Sequence, residues 1–239
     1  MIPVLILQFI ENDTPAYLGS WLVQRGIQSD LRLGTARGGF PERIDGYSAL
    51  ALLGGSMSVN DDLPFLRNAQ RLIEQAMQRD VPVLGHCLGG QLMARTLGAR
   101  VAASPAPEVG WHAMQCVDSP LTREWFGPAA THEVFHWHYE AFDLPAGSQR
   151  LASSEHCPHQ AFAIGPHLGL QFHVEVDAAK LELWLSQHDA EYEQAQREFD
   201  TVHRAERVRR DTARCLGGQQ RLADRIYGRW AGSAGLIPQ

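Results

Sequence analysis

Apolar positions along the first hundred residues come in two alternating patterns. Val4 to Phe9 is a continuous apolar run, and Tyr47 to Leu53 is a second, ending in Gly54-Gly55. Runs of this length without polar interruption predict strands buried on both faces. Between and after them the spacing is helical. Pro15 to Arg25 places Leu18, Trp21 and Leu22 on one face, and Leu63, Leu66, Ile73 and Met77 form the stripe of an amphipathic helix. Val81 to Leu84 then predicts another buried strand, and Leu88 to Leu97 a helix that stops at Gly98. Strand, helix, strand, helix with buried strands implies a parallel sheet covered on both sides, whose chemistry gathers at the carboxyl ends of the strands.

The second half reads differently. Arg100 to Val176 contains short alternating segments, among them Trp111 to Val117, Val134 to Tyr139 and Gly169 to Val174, separated by turns rich in Pro and Gly. These predict antiparallel or mixed strands added to the sheet. From Asp177 onward the pattern is helical, and Asp189 to Arg214 is rich in Glu, Gln and Arg, as expected of a solvated helix outside the sheet. The organisation expected is a catalytic domain over 1–188 and a helical extension of it over 189–239.

Composition narrows the function classes. The chain has 239 residues, 44% of them hydrophobic, and a net charge of −6, so nothing invites a polyanion and no nucleic-acid partner is expected. No apolar run approaches the roughly 20 residues of a membrane span, and the apolar N-terminus lacks a basic leader, so it reads as a first strand. The four cysteines, Cys87, Cys116, Cys157 and Cys215, form no CxxC pair. Reduced thiols in a cytoplasmic protein are expected.

One cysteine has a distinctive setting. In "VLGHCLGGQLMA", residues 83 to 94, Cys87 lies between Gly85 and Gly89 where a strand gives way to a helix. Gly-x-Cys-x-Gly is the thiol form of the nucleophile elbow, in which flanking side chains would collide with backbone. A helix N-terminus also favours thiolate. A thiol nucleophile needs a base and the base an orienting group. In "GLQFHVEV", residues 169 to 176, His173 and Glu175 stand two apart, which on a strand gives them one face.

Together "GHCLGGQ", "GLQFHVEV" and "LLGGSMSV" resemble the triad-type class I glutamine amidotransferases, in their free-standing form and in the glutaminase domain of GMP synthase. "EVGW" at 108–111, "HWHYEAFDLP" and "ASSEHCPHQAF" are similar to the free-standing members. The resemblance runs from about Val4 to Val176 and implies a flavodoxin-like, doubly wound fold. It implies Cys87 as nucleophile, His173 as general base and acid, and Glu175 as its orienter. Backbone N–H groups of Gly55 and Leu88 would form the oxyanion hole. Gln91 would bind substrate, together with Trp137, His138, Tyr139 and Glu140. The implied reaction passes through a γ-glutamyl thioester and needs no metal or organic cofactor.

Three positions depart from the family pattern: Val174 and Ser56 stand where proline is common, and Tyr139-Glu140 where many members have Gly-Asp. The last change bears on the substrate, glutamine or another γ-glutamyl small molecule. About 60 residues follow Val176, too few for a synthase domain. Ammonia would pass to a separate synthase subunit, or the protein would be a stand-alone γ-glutamyl hydrolase. The rival class is a metal-binding protein, from His132, His136 and His138 and from His156, Cys157 and His159, although no ligand pair has zinc-finger spacing. A catalytically silent binding module would lack a triad member, and none is missing.

Overall fold

The computed structural model describes residues 2–238. A nine-stranded sheet runs through it in the order β2-β1-β3-β4-β9-β8-β7-β5-β6. The parallel half comprises β1 (Val4–Gln8), β2 (Ser29–Leu33), β3 (Ala49–Leu52), β4 (Val83–His86) and β9 (His167–Leu170). Beyond β9 the pairing is antiparallel through β8 (Ala161–Ile164), β7 (Gln149–Ser153), β5 (Val101–Cys116) and β6 (Thr131–Phe142). The expected flavodoxin-like sheet with added antiparallel strands is present.

Inside the edge strand β2, both faces of the parallel half are covered, which is why β1, β3, β4 and β9 are buried at every position and β1 and β3 are almost wholly apolar. Val4, Ile6, Ala49 and Ala51 face a core shared with Trp21 of α1 (Ala16–Gln24), Trp125 of α4 (Pro120–Phe126) and Tyr227 and Trp230 of α7 (Ala205–Ser233). Leu5, Leu7, Leu50 and Leu52 face the opposite core, with Leu66, Leu72 and Ile73 of α2 (Pro64–Gln78) and Leu92 and Met93 of α3 (Leu88–Thr96). Alternate residues of one strand thus feed two cores.

Some elements differ from the sequence expectation. The edge strand β2 carries the polar sequence SDLRL and exposes most of it, so apolar patterning gave no sign of it. Helix α4 starts at a Ser119 side chain that accepts from the Thr122 amide, a cap inside a stretch read as turn. Gly169 to Val174 is not one strand: β9 ends at Leu170, and the chain then bends, with His173 donating its amide to Phe135 O at 2.9 Å. The segment Asp189 to Arg214 is not one solvated helix. It divides into α6 (Ala190–Glu198) and the start of α7, and α7 buries Val208, Cys215, Leu222, Ile226, Tyr227 and Trp230. Two hydrogen bonds fix α7 to the sheet: Trp230 Nε1 donates to Pro82 O, and Gln219 Oε1 accepts from the Phe135 amide. Among the described residues no helix is long and apolar enough to cross a membrane.

Candidate active site

The topology brings the carboxyl ends of β3, β4 and β9 side by side, and each delivers one part of the site. Between β4 and α3, Cys87 has φ 48° and ψ −108°, a conformation that costs a non-glycine residue about 1–3 kcal/mol. Its amide donates to Leu170 O at 2.9 Å and its carbonyl accepts from the Gln91 amide at 2.9 Å, so both sides of the turn are pinned. The glycine before it is a steric necessity: a Cβ on Gly85 would lie 2.5 Å from the Gly89 carbonyl carbon. The elbow therefore points one thiol toward the cleft while leaving Cys87 only 6% exposed.

His173 and Glu175 do not sit on a strand, yet the bend after β9 brings them together. His173 Nδ1 is 2.7 Å from Glu175 Oε1, with both side chains buried. Burial alone would lower the pKa of His173. The negative charges of Glu175 and Cys87, with hydrogen bonds to both, overcome that and push it up to about 10. The ring is thus an imidazolium at neutral pH, oriented through Nδ1. Trp184 of α5 (Ala178–Leu185) closes one side, its ring 5.1 Å from that of His173.

Behind the pair lies a residue that sequence inspection missed. Lys180, in the first turn of α5, is 4% exposed; its Nζ contacts Asp13, sits 3.3 Å from Glu175 Oε1 and donates to Thr14 O at 2.8 Å. Burial would raise the Glu175 pKa, but the charges of His173 and then Lys180 hold it well below the carboxylate range. A lysine three residues into a helix ordinarily reads as solvated surface. The one available signal is Asp177, whose side chain caps α5 by accepting from the Lys180 amide at 2.8 Å, and so fixes where the helix starts.

The sequence-predicted oxyanion donors also converge. Gly55 follows β3, Leu88 opens α3, and a Cβ on Gly55 would meet the Leu88 side chain at 2.7 Å. Neither amide is taken up by a hydrogen bond within the described chain. Gln91, Trp137, His138, Tyr139 and Glu140 all line the same cleft, of about 330 Å³, with Cys87 and His173. Their roles divide. The Gln91 side-chain Nε2 donates to Glu140 O at 3.0 Å, tying α3 to β6, and the Trp137 carbonyl lies 3.5 Å from the Cys87 sulfur. Ser58 holds both Glu140 carboxylate oxygens at 2.9 Å. His138 is turned toward Glu108 instead, 3.2 Å away. The far wall comes from the C-terminal region: Gln187, Asp189 and Glu191 line the cleft, and Tyr192 of α6 stacks 5.0 Å from Trp137. That contribution was invisible in a segment read as solvated. Of the departures from the family pattern, Val174 is fully buried, Ser56 is exposed at the mouth, and Tyr139 packs among Val109, Tyr192 and Phe199.

Comparison with known proteins agrees with this geometry. Residues 21–183 match the family described as glutamine amidotransferase class-I. A glutamine amidotransferase-like protein of Salmonella typhimurium, YfeJ, is 32% identical over 190 residues, covering 76% of this chain and 78% of that one. The GMP synthase [glutamine-hydrolyzing] of Thermomicrobium roseum is 37% identical over 53% of this chain, which spans only 23% of that longer protein. In structure, a glutamine amido transferase from Methylobacillus flagellatus superposes with a TM-score of 0.92 at 34% identity, covering 98% of this chain and 95% of that one. A glutamine amidotransferase from Thermotoga maritima gives 0.84 at 29% identity, over 96% and 97%. With the fold matched over nearly its whole length and a cysteine elbow beside a His–Glu pair, this chain belongs to the class I glutamine amidotransferase family.

Proposed function

We propose that this chain hydrolyses the γ-carboxamide of glutamine through a Cys87 thioester, giving glutamate and ammonia. The observation that carries the reading is the gathering of an elbow cysteine and a buried, hydrogen-bonded His173–Glu175 pair at one end of the sheet. The Cys87 thiolate attacks the γ-carbonyl carbon, and negative charge moves to the former carbonyl oxygen. The amides of Gly55 and Leu88 receive that charge; losing one such donor typically costs on the order of 100- to 1,000-fold in rate. His173 then gives its proton to the departing nitrogen as the C–N bond breaks. In the second step the now neutral His173 takes a proton from water, the hydroxide adds to the thioester, and the thiolate leaves. Glu175 holds the ring tautomer throughout and stabilises imidazolium each time it forms. Ammonia released by this chain would pass to a synthase that accepts it.

A second reading keeps the same chemistry and changes the leaving amine. Tyr139 and Glu140 replace the smaller residues common in the family, and the cleft extends past them to Gln187, Asp189 and Glu191. Room beyond the scissile bond suits γ-glutamyl conjugates with an amine larger than ammonia. Measuring kcat/KM for glutamine and for γ-glutamyl dipeptides separates the two, since a mismatch in a hydrogen-bonding pocket discriminates by several orders of magnitude. Preference for glutamine supports the glutaminase reading; strong preference for the peptides replaces it with a γ-glutamyl hydrolase. Release of glutamate from neither, by protein whose Cys87 still alkylates, overturns both.

A further inference from the structure

Away from the cysteine, β5 and β6 bury a second cluster of chemically capable side chains. Glu108 and His138 are direct cross-strand partners, and His136 lies opposite Gly110, two residues along. The period of the pleat therefore places Glu108, His136 and His138 on one face. All three are buried, at 1%, 0% and 2% exposure, and one ligand atom from each can be chosen so that all lie within 4.8 Å of one another.

Two features go beyond a casual polar cluster. First, neither ring nitrogen of His136 has a hydrogen-bond partner in the described chain, and Nδ1 of His138 has none either. A buried imidazole without partners is costly, of order 1–3 kcal/mol for each unmet group. Second, His138 Nε2 lies 3.2 Å from Glu108 Oε2. Ligands about 2.0–2.2 Å from a tetrahedral metal stand roughly 3.4 Å apart, so this edge already has the length a shared ion requires. An outer support is built in as well: Gln160 Nε2 donates to Glu108 Oε2 at 2.6 Å, fixing the carboxylate as the partners of metal ligands commonly do.

We propose that Glu108, His136 and His138 form a binding site for one divalent transition metal of the zinc type, with water in the fourth position. Two imidazoles and one carboxylate suit zinc and its neighbours and are poor in number and hardness for calcium or magnesium. His138 belongs to the β6 segment Trp137 to Glu140 that lines the substrate cleft, so the ion braces that wall from one of its own residues and takes no part in the bond changes at Cys87.

The test uses full-length Cys87→Ser protein, which removes the thiolate as a competing ligand. After chelator treatment it is titrated with cobalt(II), followed by visible absorption, and with zinc under competition. One equivalent bound with the intense absorption of a four-coordinate cobalt site is expected. In His136→Gln the affinity should fall by more than about 100-fold, beyond the effect of losing a mere supporting partner. If that variant fails to fold, the titration of the Cys87→Ser protein still decides. Absence of a single tight equivalent, an octahedral cobalt spectrum, or equal affinity in folded His136→Gln overturns the proposal and leaves the cluster to ordered water.

Discussion

Replacing Lys180 by methionine keeps the volume of the side chain but removes its charge, and the surroundings of the ammonium set the penalty. It is the cation shared by Asp13 and Glu175, and Lys180 and Asp13 are each only 2% exposed in their side chains. Removing it strands two carboxylates in a dry region, with His173 left to balance one of them. Breaking a buried pair in this way costs about 3–5 kcal/mol. For a chain of this size each kcal/mol moves Tm by about 2–4 °C, so Lys180→Met should melt roughly 6–20 °C lower. The loss has a named cause, which a second substitution exposes. Adding Asp13→Asn removes one stranded charge, and the double variant should recover about 1–3 kcal/mol, the coupling expected of groups in direct contact. Calorimetry or thermal circular dichroism at neutral pH reads both numbers. A Lys180→Met protein melting within about 2 °C of the parent, or a double variant no more stable than the single one, would refute the reasoning.

Two further outcomes concern the titrating groups. Limiting iodoacetamide at neutral pH should label Cys87 first, because burial pushes Cys116 up to about 11 and Cys157 up to about 12 and also raises Cys215; peptide mapping that finds the four labelled alike removes Cys87 from its role. The raised His173 pKa contributes stability that is complete below the unfolded value near 6.5 and is lost as pH climbs through about 10, so the Tm gap between the parent and Glu175→Gln should narrow over that range. A gap that stays constant or widens would show that Glu175 does not hold the imidazolium.

The parts of this molecule that were readable in its sequence are those where one local force dominates. The apolar runs of β1, β3 and β4 are buried on both faces, so no competing demand blurs them. Cys87 was legible because its backbone conformation requires glycine nearby, and steric exclusion leaves a mark in sequence. His173 and Glu175 were paired for the wrong local reason, since a bend and not a strand joins them. The contact survives because residues two apart can meet in several extended conformations. Lys180 and the α6 wall were not legible. Their burial is created by partners far away in the chain, and a charged residue looks the same whether its counterion is Asp13 or water.

The strand order also sets a schedule for synthesis. β9 inserts beside β4, so Cys87 donates its amide to Leu170 and meets His173 only after some 83 to 86 further residues have been made. At ribosomal rates of 5–20 residues per second that interval is roughly 4–17 s. For that time the cysteine-bearing turn has no imidazole of His173 beside it. The nascent chain therefore carries the cysteine elbow without its His–Glu neighbours until the second half docks, and assembly of the cleft reports insertion of β9 into the sheet.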